Sequence, residues 1–122
     1  MPWEFRSDLP IYTQLIAQIQ QRIVTGQLKP GDRLPSVRDL AAEAGVNPNT
    51  MQRAMTELER QGLVHSQRTA GRFVTEDEAV IRVLREDLAR TQVQDFLVAM
   101  GQLGFAPQEI AALIQKEGEK SL

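Results

Sequence analysis

The sequence predicts a mainly α-helical chain with one small β-hairpin. Three observations predict it. Two short helical patterns flank Gly45, two short β-type runs surround Arg68-Thr69-Ala70-Gly71, and long apolar helical spacing resumes from Ile81 onward. At 122 residues there is room for one modest domain and an appendage.

The segment at positions 1–8 alternates Trp3 and Phe5 with Glu4 and Arg6, the pattern of a short extended piece lying on apolar surface. Pro10 then starts a helix predicted to reach about Thr25. Tyr12, Leu15, Ile16, Ile19 and Ile23 give it one apolar stripe, and Gly26 ends it. Pro30-Gly31 is a turn signal, and Arg33-Leu34 is long enough only for a minimal strand before Pro35.

Ser36 is an N-cap, with Asp39 three residues on, and Val37, Leu40, Ala41 and Ala44 form an inner face. Gly45 turns the chain where a Cβ would be costly. Asn47 caps the next helix and Pro48 occupies its first position. As far as Gln61 the residues divide into two faces. Met51, Ala54, Met55 and Leu58 make the buried stripe, whereas Asn49, Gln52, Arg53 and Thr56 are polar throughout. Two helices joined by a short glycine turn form a helix-turn-helix, spanning about 36–61. An outer face of Asn, Gln, Arg and Thr matches what base edges in a DNA major groove can bond, although an ordinary solvated helix face has the same composition.

After Gly62, Leu63–Gln67 and Arg72–Val74 are strand-like, giving a hairpin at about 63–74. Directly behind a helix-turn-helix such a hairpin is a wing, and Arg68 and Arg72 are expected to charge its tip. Thr75 and Glu78 compose a capping box for a fourth helix reaching about Leu103, with a polar interruption and expected bend at Arg90-Thr91-Gln92. Gly104 stops it, and Pro107 opens a last helix with Ile110, Leu113 and Ile114 inward. The resulting division is an extended segment at 1–8, a winged helix-turn-helix domain at 9–75 and a two-helix tail at 76–122. Two helices cannot bury their stripes on each other and also enclose a ligand pocket. A symmetric homodimer through Ile81, Leu84, Leu88, Val93, Phe96, Leu97, Met100 and Leu103 is therefore expected, in preference to a fold-back onto the first domain.

Composition narrows the chemistry. The chain has no cysteine and one histidine, so thiolate chemistry is excluded and a histidine metal site is not expected. His65 falls within a strand, and no carboxylate pair converges, so no catalytic residue, cofactor or metal is expected. No signal peptide or membrane-length apolar run is present, and a cytoplasmic location is the expectation. The net charge is −2, but it is unevenly spread. Through Thr75 nine Lys and Arg face seven Asp and Glu, giving +2; from Glu76 five face nine, giving −4. The first part thus keeps a basic balance suited to phosphates.

At this point the sequence resembles the GntR family of transcriptional regulators, of the short-tailed YtrA type. The resemblance rests on Pro10-Ile11-Tyr12, the run from Gly26 to Ala41 containing Leu34-Pro35-Ser36-Val37-Arg38, Val46-Asn47-Pro48-Asn49-Thr50, Leu58-Glu59, Gly62-Leu63, and Gly71 with Phe73-Val74. It implies a regulator, usually a repressor, that binds a pseudo-palindromic operator in double-stranded DNA as a homodimer, often at a transporter operon that includes its own gene. It also implies DNA contacts at Arg38, at Asn47, Asn49, Thr50, Gln52 and Arg53, and in the wing at Arg68 and Gly71. Ser36, which opens the helix of Arg38, joins this set. Thr69 stands where the family commonly has a second glycine, and Arg72 replaces a small residue, so the wing departs from the pattern. A protein-interaction module and a regulatory fragment of a larger, aminotransferase-like protein are the competing expectations; the tail argues against the second. Operator sequence and small-molecule effector are not encoded legibly.

Overall fold

The computed structural model describes residues 2–121. In chain order they form α1 (Ile11–Val24), α2 (Val37–Ala44), α3 (Pro48–Arg60), β1 (Val64–Gln67), β2 (Gly71–Val74), α4 (Glu78–Gln102) and α5 (Pro107–Ser121). The chain divides into two units, Met1–Arg85 and Glu86–Leu122.

The core of the first unit gathers the stripes that the periodicity marks. Leu15, Ile19 and Ile23 of α1 pack with Leu40 and Ala41 of α2 and with Met51, Ala54, Met55 and Leu58 of α3. Leu63, Val64 and Val74 close it from the hairpin. Each large side chain so removed from water stabilises the fold by about 1.5–3 kcal/mol. β1 and β2 pair antiparallel, with Val64 opposite Val74 and Gln67 opposite Gly71. The minimal strand at Arg33 exists as a single antiparallel bridge to Phe73. Leu34 N–H donates to the Arg72 carbonyl at 2.8 Å and Val74 N–H to the Asp32 carbonyl at 2.9 Å, laying this segment along β2.

The extended segment before α1 lies on its own unit. Trp3 and Phe5 are half-buried against the core, and the Arg22 guanidinium sits 3.7 Å from the centre of the Trp3 ring. Burial pushes Arg22 below the usual guanidinium range, with Glu43 acting in the opposite sense. Gln14, buried in α1, exchanges both amide functions with this segment: its Nε2 donates to the Arg6 and Leu9 carbonyls at 2.9 and 3.0 Å, and its Oε1 accepts from Arg6 N–H at 2.8 Å.

Three expectations need correction. The fourth helix begins at Glu78, not at a Thr75 cap. Thr75 N–H is still engaged in the hairpin, donating to the Leu63 carbonyl at 2.9 Å, so the backbone there is extended. Asp77 caps instead, its Oδ1 accepting from Ala79 N–H at 3.0 Å. Second, α4 runs as one unbroken helix through Arg90-Thr91-Gln92, where Thr91 Oγ1 donates to the Asp87 carbonyl at 3.1 Å. Third, Ile81 is buried in the core of the first unit and Leu84 packs against that core. Both residues are thereby withdrawn from the apolar face offered for dimerisation. The first unit accordingly extends to Arg85, since the opening turns of α4 complete its core.

In the second unit Ile110 of α5 is buried, while Val93, Phe96, Leu97 and Leu103 of the α4 region are 40–71% exposed. Leu88 and Met100 are half-buried. Phe96, Met100, Leu113 and Ile114 line an apolar groove of about 500 Å³ within this unit. No helix among the described residues is long and apolar enough by itself to cross a membrane.

Candidate nucleic-acid interface

The candidate site is built around two helix starts. At α2, Ser36 Oγ accepts from Asp39 N–H at 3.1 Å; at α3, Asn47 Oδ1 accepts from Asn49 N–H at 2.8 Å, with Pro48 behind it. Each cap satisfies one orphan N–H and leaves others at the same helix end open to an anion. The connection is tight because Gly45 takes φ of +71° and lets Val46 N–H fold back onto the Ala41 carbonyl at 3.0 Å. A shallow groove of about 480 Å³ results, bordered by Ser36, Arg38, Val46 and Pro48. Arg38 is exposed at its rim and has no hydrogen bond or ion pair to another described residue. A cation in the first turn of a helix is electrostatically misplaced unless an external anion meets it.

The outer face of α3 holds the predicted polar set. Asn49, Gln52, Arg53 and Thr56 are all exposed, and Thr50 is half-buried. Three of these side chains have partners. Gln52 Nε2 donates to Thr56 Oγ1 at 3.2 Å, and Thr56 Oγ1 donates to the Gln52 carbonyl at 2.9 Å. The Arg53 guanidinium lies 4.3 Å from the centre of the Tyr12 ring of α1, a cation–π contact of about 0.5–1 kcal/mol at an exposed site. Towards the end of the helix Glu57 and Arg60 pair with each other, and the hydrogen bond from Arg60 holds the Glu57 carboxyl below its usual range. On the two helices of the helix-turn-helix the cations without a carboxylate partner are thus Arg53 and Arg38.

The wing differs from the sequence expectation in one respect. Arg68 is exposed in the turn, as expected, and has no partner among the described residues. Arg72, expected at the tip, is instead half-buried and paired with Glu59 of α3. The same carboxylate accepts from Ser66 Oγ of β1 at 2.6 Å, so Glu59 latches both strands to α3. The physical reason lies in the alternation of β2: Arg72 N–H and side chain face α3 while its neighbours face elsewhere. Gly71, with φ of +107°, opens β2 opposite Gln67.

Ser36 and Arg38 therefore meet the start of α3 at Asn47-Pro48, Asn49, Thr50, Gln52 and Arg53 follow along that helix, and Arg68 and Gly71 lie on the hairpin. Tyr12 and Glu59 were missed by sequence reasoning. Glu59 stands in a quoted motif but contacts Arg72 thirteen residues away, and Tyr12 meets Arg53 across forty-one, so neither pairing has a local signal. Among the described residues no cluster of His, Cys, Asp and Glu could hold a metal ion.

Comparison with known proteins agrees with this geometry. Residues 11–74 match the family model described as bacterial regulatory proteins, gntR family. The chain is 41% identical over 107 residues to the uncharacterised HTH-type transcriptional regulator YhcF of Bacillus subtilis, covering 88% of each. It is 46% identical over 72 residues to the HTH-type transcriptional repressor YtrA of the same organism, covering 59% of this chain and 55% of that one. Among solved structures, a GntR family transcriptional regulator from Listeria monocytogenes superposes with a TM-score of 0.84 at 39% identity, over 92% of this chain and 98% of the other. The DNA-binding domain of AraR in complex with operator ORR3 matches 62% of this chain and 88% of that one, with a TM-score of 0.52 and 32% identity. The chain is thus a transcriptional regulator, and it belongs to the gntR family of bacterial regulatory proteins.

Proposed function

We propose that the chain acts in the cytoplasm as a homodimeric repressor that reads a pseudo-palindromic operator with α3 in the major groove. The observation that carries this reading is the exposed row of Asn49, Gln52, Arg53 and Thr56 beside the partnerless Arg38. Asn49 and Gln52 suit bidentate bonds to adenine; Arg53 suits guanine or phosphate. Arg38 and the open N–H groups of both helix starts suit backbone phosphates, which fix register without carrying sequence. Arg68 and Gly71 suit the flanking backbone.

Dimerisation rests on Leu88, Val93, Phe96, Leu97, Met100 and Leu103. Supporting it are the exposed large side chains of α4 and the apolar groove they share with Leu113 and Ile114. A second copy covers such a face with the same face, and its two recognition helices then address half-sites about 34–36 Å apart. The transporter-operon role belongs to the same proposal, as does regulation of its own gene.

The test is selection of duplexes from a random-sequence pool by the purified chain, followed by an electrophoretic shift with DNA from upstream of its own gene. The proposal expects an enriched inverted repeat and a shifted complex of two chains per duplex. A pool that shows no enrichment, even at low salt, would remove it.

A further inference from the structure

The wing carries a cation that is remote from it in sequence. Arg33 is bridged to Phe73 in the backbone, and from that position its side chain crosses the start of β2. A Cβ added at Gly71 would meet the Arg33 guanidinium group, 3.1 Å from Nε and 3.7 Å from Cζ. The guanidinium therefore rests against the bare α-carbon of Gly71, at a backbone φ of +107°. Arg33 is exposed, and it has no hydrogen bond or ion pair to another described residue through that side chain. Arg72, the cation that the sequence puts in the wing, is neutralised by Glu59. The hairpin's open positive charge is thus carried by Arg68 and Arg33.

We propose that Arg33 is a phosphate contact of the wing and that Gly71 is its positioning residue. A guanidinium seated against backbone gives up little rotational freedom when an anion arrives, and its planar donors match phosphate oxygens. Gly71 serves DNA through this seat, and the contact is made by the arginine. The proposal rests on the reading that α3 and the wing face duplex DNA, and it adds to that reading a residue outside both the helix and the hairpin.

The experiment measures affinity for a duplex enriched from a random pool by the wild-type chain, and for a scrambled duplex of equal length, from about 50 to about 200 mM salt. R33Q is expected to reduce the slope of log K against log salt by about 0.9, the loss of one phosphate contact, and to weaken both duplexes by the same factor. R33K, which keeps the charge, is expected to retain the wild-type slope. G71A leaves the charge intact but displaces the guanidinium, so its slope is expected to fall towards that of R33Q. In the R33Q background, G71A is expected to change the slope no further. R38A serves as the control for the interface itself. Weak binding by R38A together with wild-type slopes for R33Q and G71A overturns this proposal and leaves the interface standing. Undiminished binding by R38A and R33Q alike, or a pool that yields no enriched duplex, overturns the interface and this proposal with it.

Discussion

Replacing Glu59 by Gln tests whether the wing is held to the recognition helix by charge. The carboxylate accepts from Ser66 Oγ and from Arg72 Nε, both donors belonging to the hairpin. A neutral hydrogen bond contributes about 1 kcal/mol net, and one to a charged group about 1.5–3 kcal/mol. The side chains of Arg72 and Glu59 remain 24% and 31% exposed, so solvent screens part of this. Gln also retains one acceptor oxygen. The expected loss is about 1 kcal/mol, which for a domain of fewer than about 100 residues lowers Tm by about 4–8 °C. The pH dependence follows from the direction of the shift. Hydrogen bonding from Ser66, and then from Arg72, holds the Glu59 carboxyl below its ordinary value of 4.5 despite burial. A depressed carboxylate contributes in full above the unfolded value and loses its contribution as pH falls through the lower folded value. Thermal melts of wild type and E59Q should therefore differ at neutral pH and converge as pH falls below about 4.5. Equal melting temperatures at pH 7 would refute the latch, as would a difference that persists undiminished in acid.

Three further outcomes follow from the same structure. R38A should weaken binding to a selected duplex and lower the salt slope by about 0.9, measured by fluorescence anisotropy; an unchanged slope takes Arg38 off the backbone. L97D places a charge on an exposed apolar face, so sedimentation should report a monomer whose first unit still unfolds cooperatively, whereas an unaltered sedimentation coefficient would place the subunit contact elsewhere. L58A removes a side chain with no exposure at the centre of the core and should cost about 2–5 kcal/mol in denaturant melts; less than about 1 kcal/mol would mean the stripe is not packed as described.

What the sequence made legible is what lies close along the chain. The two faces of α3 follow from a period of 3.6 residues, and Asn47-Pro48 and Ser36 announce helix starts because capping uses neighbours two or three residues away. Pairings across distance left no such mark: Glu59 with Arg72, Arg53 over Tyr12 and Arg33 against Gly71 depend on tertiary placement. Ile81 and Leu84 illustrate the same limit. Their spacing places them on one stripe with Leu88, but spacing cannot say which surface each turn covers, and the first turns of α4 belong to the core behind the hairpin. The start of α4 was displaced for a related reason, because a hairpin ladder that extends to Thr75 overrides an otherwise good capping sequence.

If α3 reads base pairs as proposed, the bond between Gln52 and Thr56 sets how readily it does so. A side-chain pair one turn apart on a helix is worth about 0.2–0.5 kcal/mol, whereas a wrong base pair costs a regulator about 1–3 kcal/mol. Releasing the glutamine amide is therefore a small toll beside the discrimination it can supply. The amide can be offered to each passing base pair and withdrawn again, and selectivity is left to the DNA that is met rather than to the resting shape of the protein.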